Sequence, residues 1–202
     1  MFAASSRFAR LLLTIYLCEF LLLAIAPYDR ATWLAENIPI VGIVLVLVVS
    51  HRWFRFSAAS YLAMSVLIFL HTIGGYYTFE RVPFGWITDT FGFERNHFDR
   101  VAHFSVGFYA FPLAEWLERR KLVNSRMLVF LFPVCAIFTV AALYEIIEWL
   151  YAAGAGQAAG AAFLGSQGDI WDAQKDMLAD GLGAIVAVTV YLWLRRPELN
   201  RE

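Results

Sequence analysis

Histidine and carboxylate side chains recur at helical spacing along the chain. The groups spaced by three or four residues are Asp99 and His103, Glu145 and Glu148, and Asp172, Asp176 and Asp180. Because residues three or four apart lie on one face of an α-helix, each group is expected to present its side chains together. Imidazole nitrogens and carboxylate oxygens bind divalent metals, and the same groups act as general acids and bases. The spacing therefore predicts a metal site or a catalytic site assembled from helix faces.

All of these residues lie within or beside long apolar stretches. The chain has 202 residues, of which 60% are hydrophobic and 16% charged, whereas soluble domains carry about 25% charged residues. A membrane-spanning helix needs about 20 mostly apolar residues. Six segments meet that requirement: 8–26, 32–50, 58–77, 97–117, 127–151 and 174–194. We therefore expect an all-α fold, a polytopic membrane helix bundle with about six transmembrane helices, forming a single integral membrane domain over residues 1–202.

The distribution of lysine and arginine predicts the orientation of this bundle, because cytoplasmic loops carry an excess of these residues. Eleven of the 16 lie near one set of segment ends: Arg7, Arg10, Arg52, Arg55, Arg119, Arg120, Lys121, Arg126, Arg195, Arg196 and Arg201. Both termini are therefore expected in the cytoplasm, with loops 27–31, 78–96 and 152–173 outside. The formal net charge of −1 provides no basic field that would favour nucleic acid as a partner.

This orientation brings the polar groups to one depth in the membrane. A rise of 1.5 Å per residue places His71 about 9 Å from the outer end of its segment. Asp99 and His103 open the fourth segment from outside, Glu145 and Glu148 close the fifth, and aspartates open the sixth. A charged side chain at the bilayer centre costs about 2.5–3.5 kcal/mol. These groups are therefore expected to face one another around a single cavity rather than face lipid.

The charges expected in that cavity do not balance. Six carboxylates meet only two fixed cations, Arg100 and Lys175, and like charges crowded together disfavour ionisation. A divalent metal would resolve the imbalance, and hydrogen-bonded, partly protonated carboxyls would resolve it too. For the metal alternative, the expected ligands are His71, Asp99, His103, Asp172 and Asp176, and the expected catalytic residues are Glu145, Glu148, Asp180 and Arg100.

Several of these residues also have a purely structural interpretation. His71 and His103 would then be neutral histidines that hydrogen-bond between helices. Arg100 would either be an interfacial anchor or form a salt bridge with an acidic neighbour. At the cytoplasmic end of the fourth segment, Glu115 and Glu118 are predicted to be solvated.

Three functions are compatible with such a cluster. The first is a metal-dependent hydrolase or transferase that acts on an envelope lipid or a lipid-linked substrate, with a carboxylate as general base. The second is a structural or accessory protein of the cell envelope, in which the polar cluster only holds helices together. The third is a proton- or cation-coupled transporter, because intramembrane carboxylates mark such pathways. Transporters place their sites near the midplane, whereas this cluster is expected on one side, so we favour the enzyme.

Four motifs occur in order along the chain: His71-x-x-Gly-x-x-Tyr77, Phe98-Asp99-Arg100-x-x-His103-Phe104, Tyr144-Glu145-x-x-Glu148-Trp149 and Gly168-Asp169-x-x-Asp172-x-x-Lys175-Asp176-x-x-x-Asp180. Together they resemble the YjdF family of bacterial inner-membrane proteins, which is classed as a domain of unknown function. The second half is also similar to VanZ-like proteins, which are associated with glycopeptide-antibiotic resistance, and Arg100 stands where their pattern has Lys. The resemblance implies a multi-pass protein of the bacterial inner membrane and assigns no reaction.

Overall fold

The computed structural model describes residues 2–155 and 166–199, and throughout these two ranges the regular structure is helical. The helices are α1 (Phe2–Leu23), α2 (Arg30–Ser50), α3 (Ala58–Tyr77), α4 (Gly85–Phe91), α5 (Phe98–Val106), α6 (Ala110–Arg119), α7 (Arg126–Ala155) and α8 (Asp172–Leu199). Short 3-10 turns lie at Phe79–Arg81, Gly107–Tyr109 and Ser166–Gly168. The prediction of an all-α fold is therefore confirmed. Residues 156–165 of the predicted outer loop 152–173 lie outside the described residues.

Four of the described helices are long and apolar enough to cross a membrane. They are Arg30–Ser50, Ala58–Tyr77, Arg126–Gly154 within α7 and Asp172–Arg195 within α8. The first predicted span corresponds to α1, which carries three charged side chains at Arg7, Arg10 and Glu19. These helices agree with a membrane helix bundle, and the count of about six spans stays a prediction.

The fourth predicted span, 97–117, is divided rather than continuous. The α-helical pattern ends at Val106, passes through the 3-10 turn Gly107–Tyr109 and resumes at Ala110. Pro112 has no backbone N–H, so the carbonyl four residues before it, that of Phe108, has no partner in a regular α-helix. In the turn, the Ala110 N–H bonds instead to the carbonyls of Gly107 and Phe108. The break therefore follows from the sequence around Pro112, and it lies one turn beyond His103.

The contacts divide the chain into two compact units, Met1–Ala102 and His103–Glu202. In the first unit, α3 packs against both α1 and α2, and Tyr16, Ile40 and Ile68 form a buried apolar cluster. In the second unit, α6, α7 and α8 pack against one another. The single integral membrane domain over residues 1–202 stays a prediction.

The start of α2 shows how a local signal sets a helix boundary. Asp29 adopts an extended backbone and its side chain accepts a hydrogen bond from the Thr32 N–H at 2.7 Å. A carboxylate at this position satisfies one of the free N–H groups in the first helical turn. The bond to the Thr32 backbone N–H also holds the pKa of the Asp29 carboxyl below its ordinary value.

Candidate functional site

His103 is the centre of a polar cluster in the second unit. Its Nδ1 lies 3.2 Å from Asp180 Oδ1, and its Nε2 lies 3.7 Å from Asp176 Oδ1. The imidazole is 19% exposed, while the carboxylates of Asp176 and Asp180 are 6% and 2% exposed. One imidazole therefore faces two nearly inaccessible carboxylates on α8, one at each ring nitrogen.

The acidic face of α8 follows from its four-residue spacing. Asp172, Asp176 and Asp180 lie one turn apart and are all buried, with residue exposures of 6%, 4% and 2%. Removing an ionised carboxylate from water costs several kcal/mol unless charges or hydrogen-bond donors compensate it. These carboxylates are therefore expected to need a positive charge or a hydrogen-bond donor close to them. The imidazole of His103 can donate an N–H and, when protonated, carries a positive charge.

Glu145 on α7 adds a fourth carboxyl group to this cluster. Its carboxylate interacts electrostatically with His103, Asp172, Asp176 and Asp180. Glu148 lies three residues further along the same helix and is half-buried. The second unit thus brings together five of the nine predicted site residues around the acidic face of α8: His103, Glu145, Asp172, Asp176 and Asp180.

Two glycines allow α8 to approach the segment that carries His103. A Cβ atom on Gly107 would lie 2.3 Å from the backbone nitrogen of Ala184 and 2.4 Å from the backbone carbonyl oxygen of Asp180. A Cβ atom on Gly183 would lie 2.0 Å from the Phe104 carbonyl oxygen. Small residues at a helix crossing permit such close backbone contact in membranes. The crossing places the backbone of Asp180 against the turn that follows His103.

Lys175 is on the same helix as the three buried aspartates, but its ion pair lies at the N-terminal end of α8. The Lys175 Nζ lies 2.7 Å from Asp169 Oδ2, and the lysine side chain is 52% exposed. The sequence predicts Lys175 as one of only two fixed cations among the six carboxylates, too few to balance them. In the structure this cation pairs with an acid outside the acidic face.

Of the four other predicted site residues, Glu148 belongs to the second unit, and His71, Asp99 and Arg100 belong to the first unit. His71 Nε2 lies 3.0 Å from Glu36 Oε2 of α2, and Arg100 contacts Asp99 at 3.5 Å. The second contact is the salt bridge expected as one of the two structural roles of Arg100. The roles of these three residues as metal ligands or catalytic groups stay predictions.

Glu36 is the polar partner that the sequence interpretation missed. It is the only acidic residue within the predicted span 32–50, and that isolation was the available signal. The side chains of Glu36 and His71 are 17% and 15% exposed, so the pair is largely desolvated. A charge-assisted hydrogen bond in such a setting contributes more than one at a water-exposed surface.

We expect Glu36→Ala to lower the free energy of unfolding by about 1.5–3 kcal/mol, the range for hydrogen bonds to charged groups. Glu36→Gln keeps an oxygen that can accept the histidine N–H, so it should cost less. Thermal unfolding of both variants in one detergent checks this expectation. Equal midpoints for wild type and Glu36→Ala would show that the pair contributes no stability.

At the C-terminal end of α6, the structure differs from the prediction. Glu115 is not solvated: the residue is 5% exposed and its Oε1 lies 2.5 Å from Arg119 Nη1. Glu118 is also engaged, because the Tyr191 hydroxyl donates to it and Arg195 Nε lies 3.3 Å away. The prediction of a solvated end failed because packing of α6 against α8 covers these carboxylates.

Comparison with known proteins identifies relatives of the chain. Residues 8–197 match the family described as "Predicted membrane protein (DUF2238)". The chain is 38% identical over 170 residues to "Inner membrane protein YjdF" of Escherichia coli (strain K12), which covers 81% of this chain and 79% of that protein. No solved structure matches the chain. The resemblance to the YjdF family is confirmed, and the similarity to VanZ-like proteins stays a prediction.

Proposed function

Because the chain belongs to the family described as "Predicted membrane protein (DUF2238)", we propose that it works within the bacterial inner membrane as a metal-dependent hydrolase or transferase. The proposed substrate is an envelope lipid or a lipid-linked molecule, whose head group lies at the membrane surface where a site on the first turns of α8 can reach it. The distribution of arginines supports cytoplasmic termini and therefore a site on the outer side.

The observation that carries this proposal is the position of His103 between two buried carboxylates. Histidines that bind metals usually donate their second ring N–H to a carboxylate, which fixes the tautomer and the ring orientation. The distance from Nδ1 to Asp180 suits such a bond, and an Nδ1–H donated to Asp180 would leave the Nε2 lone pair on the side of Asp176. His103 Nε2 and Asp176 would then supply two of the ligands of a divalent cation, since imidazole and carboxylate are suitable ligands for zinc and manganese.

The side chains around the cation position would have distinct roles. A bound cation would supply Lewis-acid polarisation of a phosphoryl or carbonyl oxygen. Glu145 would accept the proton of an attacking water or hydroxyl as general base. Asp180 would hold His103 in place, and Glu148 would provide a further proton donor near the outer end of α7.

Metal content of the purified protein tests the proposal. Protein stripped with a chelator and titrated with Zn²⁺ or Mn²⁺ is expected to bind about one equivalent per chain through the His103 set. Binding to the folded state alone should raise stability by about 2.7 kcal/mol at a free metal concentration of 100 times the Kd. Stripped protein that binds neither ion and unfolds at the same temperature with and without them would remove the metal-dependent function and favour the structural role.

The transport alternative is separated by a flux assay. Proteoliposomes that contain the wild-type protein are expected to show no more proton or cation flux than empty vesicles. Flux that is present with wild type and absent with Asp176→Asn would assign the buried carboxylates to a conduction pathway instead.

A further inference from the structure

The first unit contains a cavity that the proposed enzyme does not use. It has a volume of about 180 Å³ and lies among α1, α2 and α3. Most of its wall is apolar, with Leu13, Val44 and Phe69 among the lining residues. The lining residues on α3 run from Tyr61 to Phe69, a length of about 12 Å at 1.5 Å per residue. A space of this length and lining suits part of a hydrocarbon chain.

One end of the cavity is polar and ordered by hydrogen bonds. His51 Nδ1 lies 2.5 Å from the Tyr61 hydroxyl, and its Nε2 lies 3.3 Å from Ser6 Oγ. Arg10 also lines the cavity, and its Nε donates to the Ser6 carbonyl at 3.4 Å. Both nitrogens of His51 are therefore engaged. The Nη groups of Arg10 face no carboxylate among the residues that the structure describes.

The charge at this end of the unit is entirely positive. Arg7 and Arg10 lie in the first turns of α1, and Arg52 and Arg55 directly follow α2. Residues 1–18 and 37–79 contain no aspartate or glutamate. Arginines near a membrane surface attract anionic head groups, and a guanidinium matches phosphate geometry well. Charge complementarity therefore points to an anionic lipid rather than a zwitterionic one.

We propose that this cavity binds one anionic phospholipid, with an acyl chain between α1, α2 and α3 and the phosphate against Arg10 beside His51. The site shares no residue with the His103 cluster, and the proposal does not depend on the proposed function. The lipid would come from the leaflet into which the basic ends of α1 and α2 project.

Native mass spectrometry of protein in mixed micelles tests the site. Phosphatidylglycerol is titrated into phosphatidylcholine, and retained lipids are counted for wild type, Arg10→Gln and Arg126→Gln. Arg126 is an exposed arginine at the start of α7, in the other unit, and serves as a matched control for loss of one charge. We expect wild type to retain one phosphatidylglycerol in preference to phosphatidylcholine. Arg10→Gln should weaken that retention about five-fold, and Arg126→Gln should leave it unchanged.

A second variant tests the apolar part of the site. Ser65 is buried and lines the cavity, so Ser65→Leu should fill part of it and reduce retention of the lipid. Val48→Phe at the exposed rim gives the same test if Ser65→Leu does not fold. Equal losses for Arg10→Gln and Arg126→Gln would overturn the proposal in favour of general surface attraction. Unchanged retention in a folded cavity-filling variant, or no preference for phosphatidylglycerol, would overturn it too.

Discussion

Replacing His103 with Ala is expected to weaken binding of a divalent metal by at least 100-fold. The imidazole is the only nitrogen ligand in the proposed set, and substitution of a supporting residue alone typically costs 10- to 100-fold in metal affinity. The variant also removes a group that lies 3.2 Å from Asp180 and 3.7 Å from Asp176. We therefore expect the metal-free variant to lose about 1.5–3 kcal/mol of stability as well.

Two further variants separate the metal role of His103 from a structural one. Asp180→Asn keeps an acceptor for the Nδ1–H, so it should retain most of the stability while metal affinity falls by about 10- to 100-fold. His97→Ala removes a histidine whose ring meets Phe93 edge-to-face in the first unit, and it should leave metal affinity unchanged. Titration calorimetry and thermal unfolding measure both effects. Wild-type metal affinity in a folded His103→Ala protein would contradict the assignment.

Gly183→Ala is the second substitution with a large expected effect. Its Cβ would lie 2.0 Å from the Phe104 carbonyl oxygen, which belongs to the backbone and cannot rotate away. Overpacking of this kind costs about 1–3 kcal/mol, and more where the backbone must shift. Because Asp180 lies one turn before Gly183 on α8, the shift should also separate Asp180 from His103. We expect a lower unfolding midpoint together with weaker metal binding.

Gly42→Ala provides the matched control for that experiment. A Cβ on Gly42, in the interior of α2, meets no atom within 4 Å. Alanine is favoured over glycine in a helix by about 0.5–1 kcal/mol, so this variant should be neutral or slightly more stable. If Gly183→Ala behaves like Gly42→Ala, the close crossing of α8 and the turn after His103 is not present in the folded protein.

The acidic face of α8 could be predicted because its cause is local. A spacing of four residues fixes Asp172, Asp176 and Asp180 on one side of any α-helix, and the energetic cost of exposing them to lipid directs that side inward. The same reasoning applied to His103 and Glu145, and these side chains are found near the acidic face. Family membership was likewise predictable, because each of the four motifs that carry it is a short segment of sequence.

The partners of His71 and Glu118 could not be predicted in the same way. The contact between Glu36 and His71 joins two helices, and the contact of Glu118 with Tyr191 joins residues 73 positions apart. Such pairs depend on how helices rotate against each other, which periodicity does not determine. The break at Gly107–Tyr109 is an intermediate case. Pro112 is a local signal for it, but the mostly apolar composition of 97–117 predicts a continuous span.

Anomalous diffraction from crystals grown with Zn²⁺ or Mn²⁺ would locate a bound cation in the protein. We predict one strong anomalous peak within about 2.0–2.3 Å of His103 Nε2, with Asp176 as a further ligand and Asp180 bonded to Nδ1. A peak elsewhere, or His103, Asp176 and Asp180 directed away from one another, would rule out a metal site at His103.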